Sequence, residues 1–337
     1  MMAVPPSSPD ARQPQEKKSG AHWVVALLLG SFILLVIFVW VLFFSPTGQS
    51  RAVTVDFNRV LPATHGDRPQ PRKPELHIAV ASMISPEYTF EVYGELIQYL
   101  GEKLDMQPKI VQRMTYREIN DLILNGSIHL GFICTGPYLQ AMPTGRMQAL
   151  VIPVVNGKRY YRAYLIVSRK ATYESFEDLR GKTFAFMDPD SLTGFLYPNA
   201  LLRTMGEDSE SFFERTFFVH SHSDLVHAVT FNLADGASVN SLVYDYSQRW
   251  GPEETAECRI VAASEPLGMP PVVVGPATTP SLKSGIQQVL LNMDEDSSGK
   301  EILKRMGIDE FVPADTIRDL YEESRARYFP EPGARSP

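Results

Sequence analysis

The segment Asp188-Pro-Asp-Ser-Leu-Thr-Gly-Phe-Leu-Tyr-Pro198 decides how the fold of this chain is interpreted. An apolar run at 183–187 precedes it and predicts a buried strand, and the residues after it predict a helix over 194–205. In α/β sheets, ligands bind where strands end and helices begin. Unpaired N–H groups at a helix start, together with hydroxyl side chains, can hold a tetrahedral anion. Ordinary helix capping by Ser191 would explain the same residues, so this segment alone leaves both interpretations open.

Two further predicted strand-to-helix junctions carry similar residues. They read Cys-Thr-Gly-Pro-Tyr at 134–138 and His-Ser-His-Ser-Asp at 220–224. For each junction, helix capping remains the alternative to ligand binding. Three such junctions on alternating units strengthen the prediction of an anion site.

Strands and helices alternate on both sides of these junctions. The predicted strands cover 76–81, 109–112, 128–133, 148–153, 160–168, 183–187, 217–219, 237–239, 259–263 and 272–274. The predicted helices cover 88–104, 115–124, 194–205, 224–233, 241–250, 280–293, 298–306 and 314–326, the second opened by a Thr-x-x-Glu capping box. Repeated β-α-β units predict a largely parallel sheet. About 260 residues exceed one ordinary sheet, which favours two α/β lobes.

Composition excludes several functions for this chain of 337 residues. Its formal net charge of -7 argues against nucleic acid as a partner. Two cysteines cannot build a four-thiol zinc site or a disulfide framework. The spacing of His220, His222 and His227 indicates surface or loop positions rather than metal ligands. Neither Gly-x-Ser-x-Gly nor a P-loop motif is present. We therefore predict a protein that is not an enzyme and uses no cofactor or metal.

The N-terminal region carries an uncharged apolar run, WVVALLLGSFILLVIFVWVLFF, at 23–44. At 1.5 Å per residue it spans ~33 Å as a helix, enough for a bilayer core of ~30 Å. The run predicts a single-pass anchor in the inner membrane; a cleaved signal peptide and a buried core helix are the alternatives. Residues 1–22 then form a disordered cytoplasmic tail, 45–75 a Pro-rich spacer, and 328–337 a polar tail.

Taken in order, these segments resemble the phosphate/phosphite/phosphonate substrate-binding proteins of ABC transporters, a branch of the type II periplasmic binding proteins. The most specific piece, 188–198, is similar to the pattern D-P-x-S-x-S-G-x-x-x-P of that family. Other matching pieces lie at 93–100, 131–138, 221–222 and 235–241. The resemblance covers roughly 76–310.

The resemblance implies two lobes that close on a ligand about a two-strand hinge. The hinge strands would lie near 161–168 and 271–274. Lobe 1 would comprise 76–160 and 275–327, and lobe 2 would comprise 161–274. The binding domain would lie in the periplasm.

The same resemblance implies a set of ligand-binding residues. An oxyanion would be held by Ser191, Thr193, Gly194, Thr135, Ser221 and His222. Candidate walls are Tyr88, Tyr93 and Tyr138, although a core position explains each tyrosine equally well. Asn240 stands where the family usually has an acid, so specificity for an amine-bearing phosphonate is in doubt.

The predicted function is therefore a membrane-tethered solute-binding protein in the periplasm. Its ligand would be a small oxyanion, either phosphate, phosphite or a phosphonate-like compound, delivered to an ABC permease. The alternative is a tethered sensor or accessory ectodomain that reports ligand occupancy to a membrane partner such as a histidine kinase.

Overall fold

The computed structural model describes residues 73–81 and 86–329. The predicted anchor at 23–44, the tail at 1–22 and most of the spacer lie outside the described residues. Within the described ranges, no helix combines the length and the apolar character needed to cross a membrane.

The described chain alternates thirteen strands with eleven α-helices. The strands are β1 (Glu75–Val80), β2 (Gln107–Val111), β3 (Leu130–Phe132), β4 (Gln148–Val154), β5 (Tyr160–Tyr161), β6 (Ala163–Ser168), β7 (Thr183–Phe186), β8 (Arg215–Phe218), β9 (Gly236–Asn240), β10 (Cys258–Ala263), β11 (Leu267–Gly268), β12 (Val272–Val274) and β13 (Glu310–Pro313). The helices are α1 (Pro86–Lys103), α2 (Tyr116–Leu124), α3 (Thr135–Ala141), α4 (Tyr197–Thr204), α5 (Ser209–Phe212), α6 (His222–Thr230), α7 (Ser241–Trp250), α8 (Pro252–Ala256), α9 (Pro280–Leu291), α10 (Ser297–Met306) and α11 (Arg318–Tyr328).

Two sheets define two lobes. The sheet of lobe 1 has the order β13-β4-β12-β3-β1-β2, and that of lobe 2 has the order β10-β6-β9-β7-β8. Helical crossovers make β1 parallel to β2 and β3, and β7 parallel to β8 and β9. The prediction of a largely parallel sheet is wrong, because β6, β10, β12 and β13 pair antiparallel. Strands β6 and β12 follow the short strands β5 and β11, whereas β10 and β13 follow pairs of helices and lie beside β6 and β4, strands from much earlier in the chain.

A short two-stranded ladder is formed by the two segments in which the chain passes from one lobe to the other. It pairs β5 with β11, with Tyr161 opposite Leu267. The chain leaves lobe 1 through β5 and returns through β11. Val272 then pairs with Phe132 and Val151 of lobe 1. Strand β12, which lies in the segment 271–274 expected to form a hinge strand, is therefore part of the sheet of lobe 1.

Local sequence signals account for several element starts. Helix α2 has the predicted capping box, in which Thr115 Oγ1 accepts from the Glu118 N–H at 3.3 Å and Glu118 Oε2 accepts from the Thr115 N–H at 3.1 Å. The predicted helix over 194–205 differs in detail, since a π-helical turn over Leu192–Leu196 precedes α4. That turn presents the polar segment at the lobe boundary.

Each lobe has its own core, and one buried cluster bridges them. Aromatic rings fill lobe 2, where Phe176 stacks on Phe212 with ring centroids 5.3 Å apart. The bridging cluster joins Ala81 and Tyr116 of lobe 1 to Met187 of lobe 2. The lobes therefore pack together in a closed arrangement.

Candidate functional site

The polar segment 188–194 forms a rigid loop at the end of β7. Ser191 caps the π-helical turn, with Oγ accepting from the Gly194 N–H at 3.0 Å. The Asp190 N–H donates to Asp188 Oδ1 at 2.8 Å, and Ser238 Oγ donates to the Thr193 carbonyl at 2.6 Å. Because Ser191 and Thr193 are fully buried and the loop is bonded at both ends, their hydroxyl positions are fixed.

His222 lies against this loop and its protonation can be derived from its contacts. Nδ1 accepts from the Asn240 N–H at 3.4 Å, so in the neutral ring the proton resides on Nε2. Burial lowers the pKa of His222 to about 3, which keeps the ring neutral at physiological pH. Nε2–H then faces Thr193 Oγ1 at 3.5 Å as a donor.

The hydroxyl protons of Ser191 and Thr193 consequently have no acceptor among the described residues. Thr193 Oγ1 accepts the hydrogen bond from His222 Nε2–H and keeps its own proton to donate. No described residue accepts the hydroxyl proton of Ser191. The loop thus gathers neutral hydrogen-bond donors at one buried place. We call Ser191, Thr193 and His222 the donor cluster.

Two other predicted ligand residues use their hydroxyl protons within the fold. Ser221 caps α6 and donates to Asp224 Oδ2 at 2.8 Å while accepting from the Asp224 N–H at 3.1 Å. Thr135 donates to the Gly268 carbonyl at 2.8 Å, joining the start of α3 to the hinge strand β11. Their hydrogen bonds therefore give Ser221 a capping role and Thr135 a positioning role.

The loop that begins α3 meets the polar loop across the lobe boundary. A Cβ atom on Gly136 would overlap the Asp190 carbonyl oxygen and lie 2.8 Å from the Leu192 nitrogen. Asp188 Oδ2 accepts from the Tyr116 N–H at 2.9 Å, a second contact between the lobes. Only glycine permits this closeness, and the closed arrangement depends on it.

A cavity of about 130 Å³ is lined by residues of both lobes. Phe132 and Ile133 line it from lobe 1, and Leu242 and Val243 line it from lobe 2. Asn240 also lines it; Oδ1 accepts from the Leu242 N–H at 2.8 Å, while Nδ2 is buried without a partner among the described residues.

The three candidate tyrosines are placed differently. Tyr93 lines the cavity and packs edge-on against Phe132 at 5.2 Å, and burial raises its pKa to about 12. Tyr138 packs edge-on against Tyr321 at 4.9 Å and is not among the described residues that line the cavity. Tyr88 lies in α1. Tyr93 therefore combines a core position with a place at the cavity, whereas Tyr138 belongs to the core.

The structure also corrects the histidine prediction and adds residues. His222 is fully buried rather than at the surface, because α6 packs its first turn against β9 and the polar loop. Asp188 and Tyr116, which join the lobes, were not among the predicted site residues. Asp188 stands at the start of the polar segment, but the N–H group that it accepts from belongs to Tyr116, 72 residues earlier in the chain. Local sequence therefore does not indicate this contact.

Two α/β lobes, a connecting ladder and an interlobe cavity define the fold of the periplasmic binding proteins. The family described as "ABC transporter, phosphonate, periplasmic substrate-binding protein" matches residues 78–320. This match covers most of the chain, and the chain belongs to that family.

Relatives and a solved structure agree with this assignment. The phosphonates-binding periplasmic protein of Escherichia coli is 27% identical over 156 residues, 45% of this chain and 46% of the relative. Phosphate-import protein PhnD of Mycolicibacterium smegmatis is 30% identical over 112 residues, 32% of this chain and 35% of the relative. The chain thus matches less than half the length of either relative. PhnD1 from Prochlorococcus marinus in complex with methylphosphonate has a TM-score of 0.66 at 17% identity, covering 76% of this chain and 98% of that one, a likeness in fold.

Proposed function

We propose that this chain is the substrate-binding component of an ABC importer and captures a small phosphonate or phosphate-like oxyanion between its lobes. The observation that carries the proposal is the donor cluster. Ser191 and Thr193 each hold an uncommitted hydroxyl proton, and the neutral ring of His222 donates its Nε2–H to Thr193 Oγ1. The family supports the transport role, and the names of the relatives support a phosphorus oxyanion.

The donor cluster suits an anion because it contains no negatively charged side chain that would repel the anion. None of its three side chains is ionised, since burial keeps His222 neutral. The chain as a whole is acidic, with a net charge of -7, so its overall field does not attract anions. Affinity would come from local hydrogen bonds to a charged ligand, each contributing about 1.5–3 kcal/mol.

Closure of the lobes would complete the site. The β5–β11 ladder supplies a short connection about which the lobes could rotate. Asp188 Oδ2 and the Tyr116 N–H join only when the lobes meet. We expect an oxyanion that is held by the donor cluster of lobe 2 and covered by the Gly136 loop of lobe 1 to stabilise the closed form, which presents both lobes together to a permease.

Calorimetric titration of the purified full-length chain tests this function. Phosphate, phosphite and methylphosphonate are the probes, with chloride as the control anion. We expect saturable heat and an upward shift in Tm with at least one phosphorus oxyanion. Heat of the same size with chloride, or no heat with any of the three probes, would refute the oxyanion assignment.

We also propose that residues 23–44 tether the binding domain to the inner membrane on its periplasmic side. The support is the uncharged apolar run, long enough to span ~30 Å. Fractionation of cells that express the chain tests the tether. Retention of the full-length chain in carbonate-washed membranes is expected. Recovery of a shortened chain in the soluble periplasmic fraction would instead identify a cleaved signal peptide.

A further inference from the structure

We propose that the interlobe cavity beside Asn240 holds an uncharged, largely apolar organic group of the ligand. The chain would then select alkyl or aryl phosphonates over inorganic phosphate and over phosphonates that carry an ammonium group. This inference rests on the proposed function, because the donor cluster must hold the oxyanion end.

The wall of the cavity is the first line of support. Val92, Phe132 and Ile133 contribute from lobe 1, and Leu242 and Val243 contribute from lobe 2. Among the described residues that line it, no side chain is charged. An ammonium group placed there would lose its hydration without gaining a counter-charge, which is strongly unfavourable. An alkyl or aryl group would instead exchange water for apolar contact.

Asn240 connects the cavity to the donor cluster. Its backbone N–H donates to His222 Nδ1 at 3.4 Å, and Leu242 N–H fixes Oδ1 as the acceptor of its amide. The orientation of the amide follows, because a backbone N–H can only donate. Nδ2 is therefore a donor that is fully buried and without a partner among the described residues, on a residue that lines the cavity.

An unpaired buried donor is unfavourable until an acceptor reaches it. An oxygen of the ligand, on the phosphonate group or on its ester, would satisfy Nδ2. An ammonium group cannot, since it has donors and no lone pair. The uncharged apolar wall therefore disfavours an ammonium substituent, and the neutral amide of Asn240 offers that substituent no counter-charge.

The size of the cavity sets the expected substituent. Its volume is about 130 Å³, whereas a single water needs only ~10–15 Å³ of such space. A methyl group would leave most of it unfilled, while a propyl or phenyl group would occupy more. Each additional buried methylene group is expected to raise affinity about fourfold.

Propylphosphonate and 2-aminoethylphosphonate give the sharpest test, because they have nearly the same shape and differ in charge. Calorimetric titration of the full-length chain would compare them with methylphosphonate and phosphate. We expect propylphosphonate to bind about tenfold tighter than methylphosphonate and at least tenfold tighter than 2-aminoethylphosphonate. Equal or tighter binding of 2-aminoethylphosphonate, or no gain from methyl to propyl, would overturn the inference.

Asn240→Asp provides a second measurement on the same site. Aspartate caps helices as well as asparagine does, so α7 should still form. The new carboxylate should shift the ratio of the two dissociation constants toward 2-aminoethylphosphonate by more than tenfold. An unchanged ratio would contradict contact between Asn240 and the substituent. If phosphate and methylphosphonate bind but propylphosphonate gains nothing, only this inference fails; if no phosphorus oxyanion binds, the proposed function fails as well.

Discussion

Ser191 and Ser221 cap two helical starts in lobe 2 with nearly identical geometry, but only the Ser221 hydroxyl donates a hydrogen bond within the described residues. Each Oγ accepts from the N–H three residues later, at 3.0 Å and 3.1 Å. At Ser221 that later residue is Asp224, whose carboxylate takes the hydroxyl proton at 2.8 Å. At Ser191 it is Gly194, which has no side chain to do so. The third residue after the cap therefore decides whether a capping serine can also bind a ligand.

Gly194 has a second reason to be glycine. A Cβ atom there would lie 2.5 Å from Met187 Cβ and 3.2 Å from His222 Cε1. The close packing that brings His222 to the loop thus requires the same missing side chain that leaves Ser191 free to donate. Gly194 therefore both allows His222 to pack against the loop and leaves the Ser191 hydroxyl proton without an acceptor.

The largest effect is expected when the hydroxyl groups of Ser191 and Thr193 are removed and that of Ser221 is kept. In the Ser191→Ala/Thr193→Ala double variant, two hydrogen bonds to a charged ligand are lost, each worth about 1.5–3 kcal/mol. We expect oxyanion affinity to fall by at least a hundredfold in calorimetric titration against the probe that binds the unaltered chain.

Ser221→Ala is the matched control for that variant. It removes a helix cap worth about 1 kcal/mol, so Tm should fall modestly while affinity changes by less than threefold. A loss of affinity in Ser221→Ala comparable to that of the double variant would mean that the two serines do not differ in the proposed way.

The second largest effect is expected from blocking the closure of lobe 1 onto lobe 2, which takes place at the Ser191 loop. Lobe 1 meets the Ser191 loop through Gly136, and an alanine there would overlap the Asp190 carbonyl oxygen. We expect Gly136→Ala to weaken oxyanion binding more than tenfold, because the lobes cannot close fully. Gly94→Ala is the control, since a Cβ at Gly94 meets no atom within 4 Å. Equal affinities for the two variants, measured by calorimetry, would exclude closure through this contact.

The smallest effect concerns His222, which begins the helix capped by Ser221 but faces the Ser191 loop. Its pKa is lowered to about 3 in the fold, from an ordinary value of 6.5. Between these values the unfolded chain binds the proton more readily, so this residue makes stability fall as pH falls from 6.5 toward 3. The contribution to the slope is at most about 1.4 kcal/mol per pH unit.

Urea unfolding between pH 7 and pH 4.5 checks the sign, with His222→Gln as the comparison. The variant should be less stable at pH 7 and show a shallower loss of stability on acidification. A slope unchanged by the substitution would indicate that His222 is not held neutral by burial.

Local signals in the sequence were sufficient for much of the fold. The capping box at Thr115 and the apolar run at 183–187 predicted α2 and β7 to within a few residues. The direction and order of the strands could not be predicted in this way. Val272 pairs with Phe132 and Val151 through contacts between distant segments, and local residue types do not encode such pairings.

The candidate site shows the same division. Hydroxyl residues at helix starts were predicted from residue type, but the destination of each proton depends on distant partners. Thr135 donates to Gly268, which lies 133 residues further along the chain. His222 is buried because Asn240 and Thr193 close around it, and no periodic pattern in the sequence signals that contact.

A structure of the chain in complex with methylphosphonate tests the central claim most directly. We predict phosphonate oxygens within hydrogen-bonding distance, ~2.5–3.0 Å, of Ser191 Oγ and Thr193 Oγ1, with Ser221 still donating to Asp224. An anion bound at Ser221, or held by lysine or arginine side chains away from the polar loop, would contradict the account.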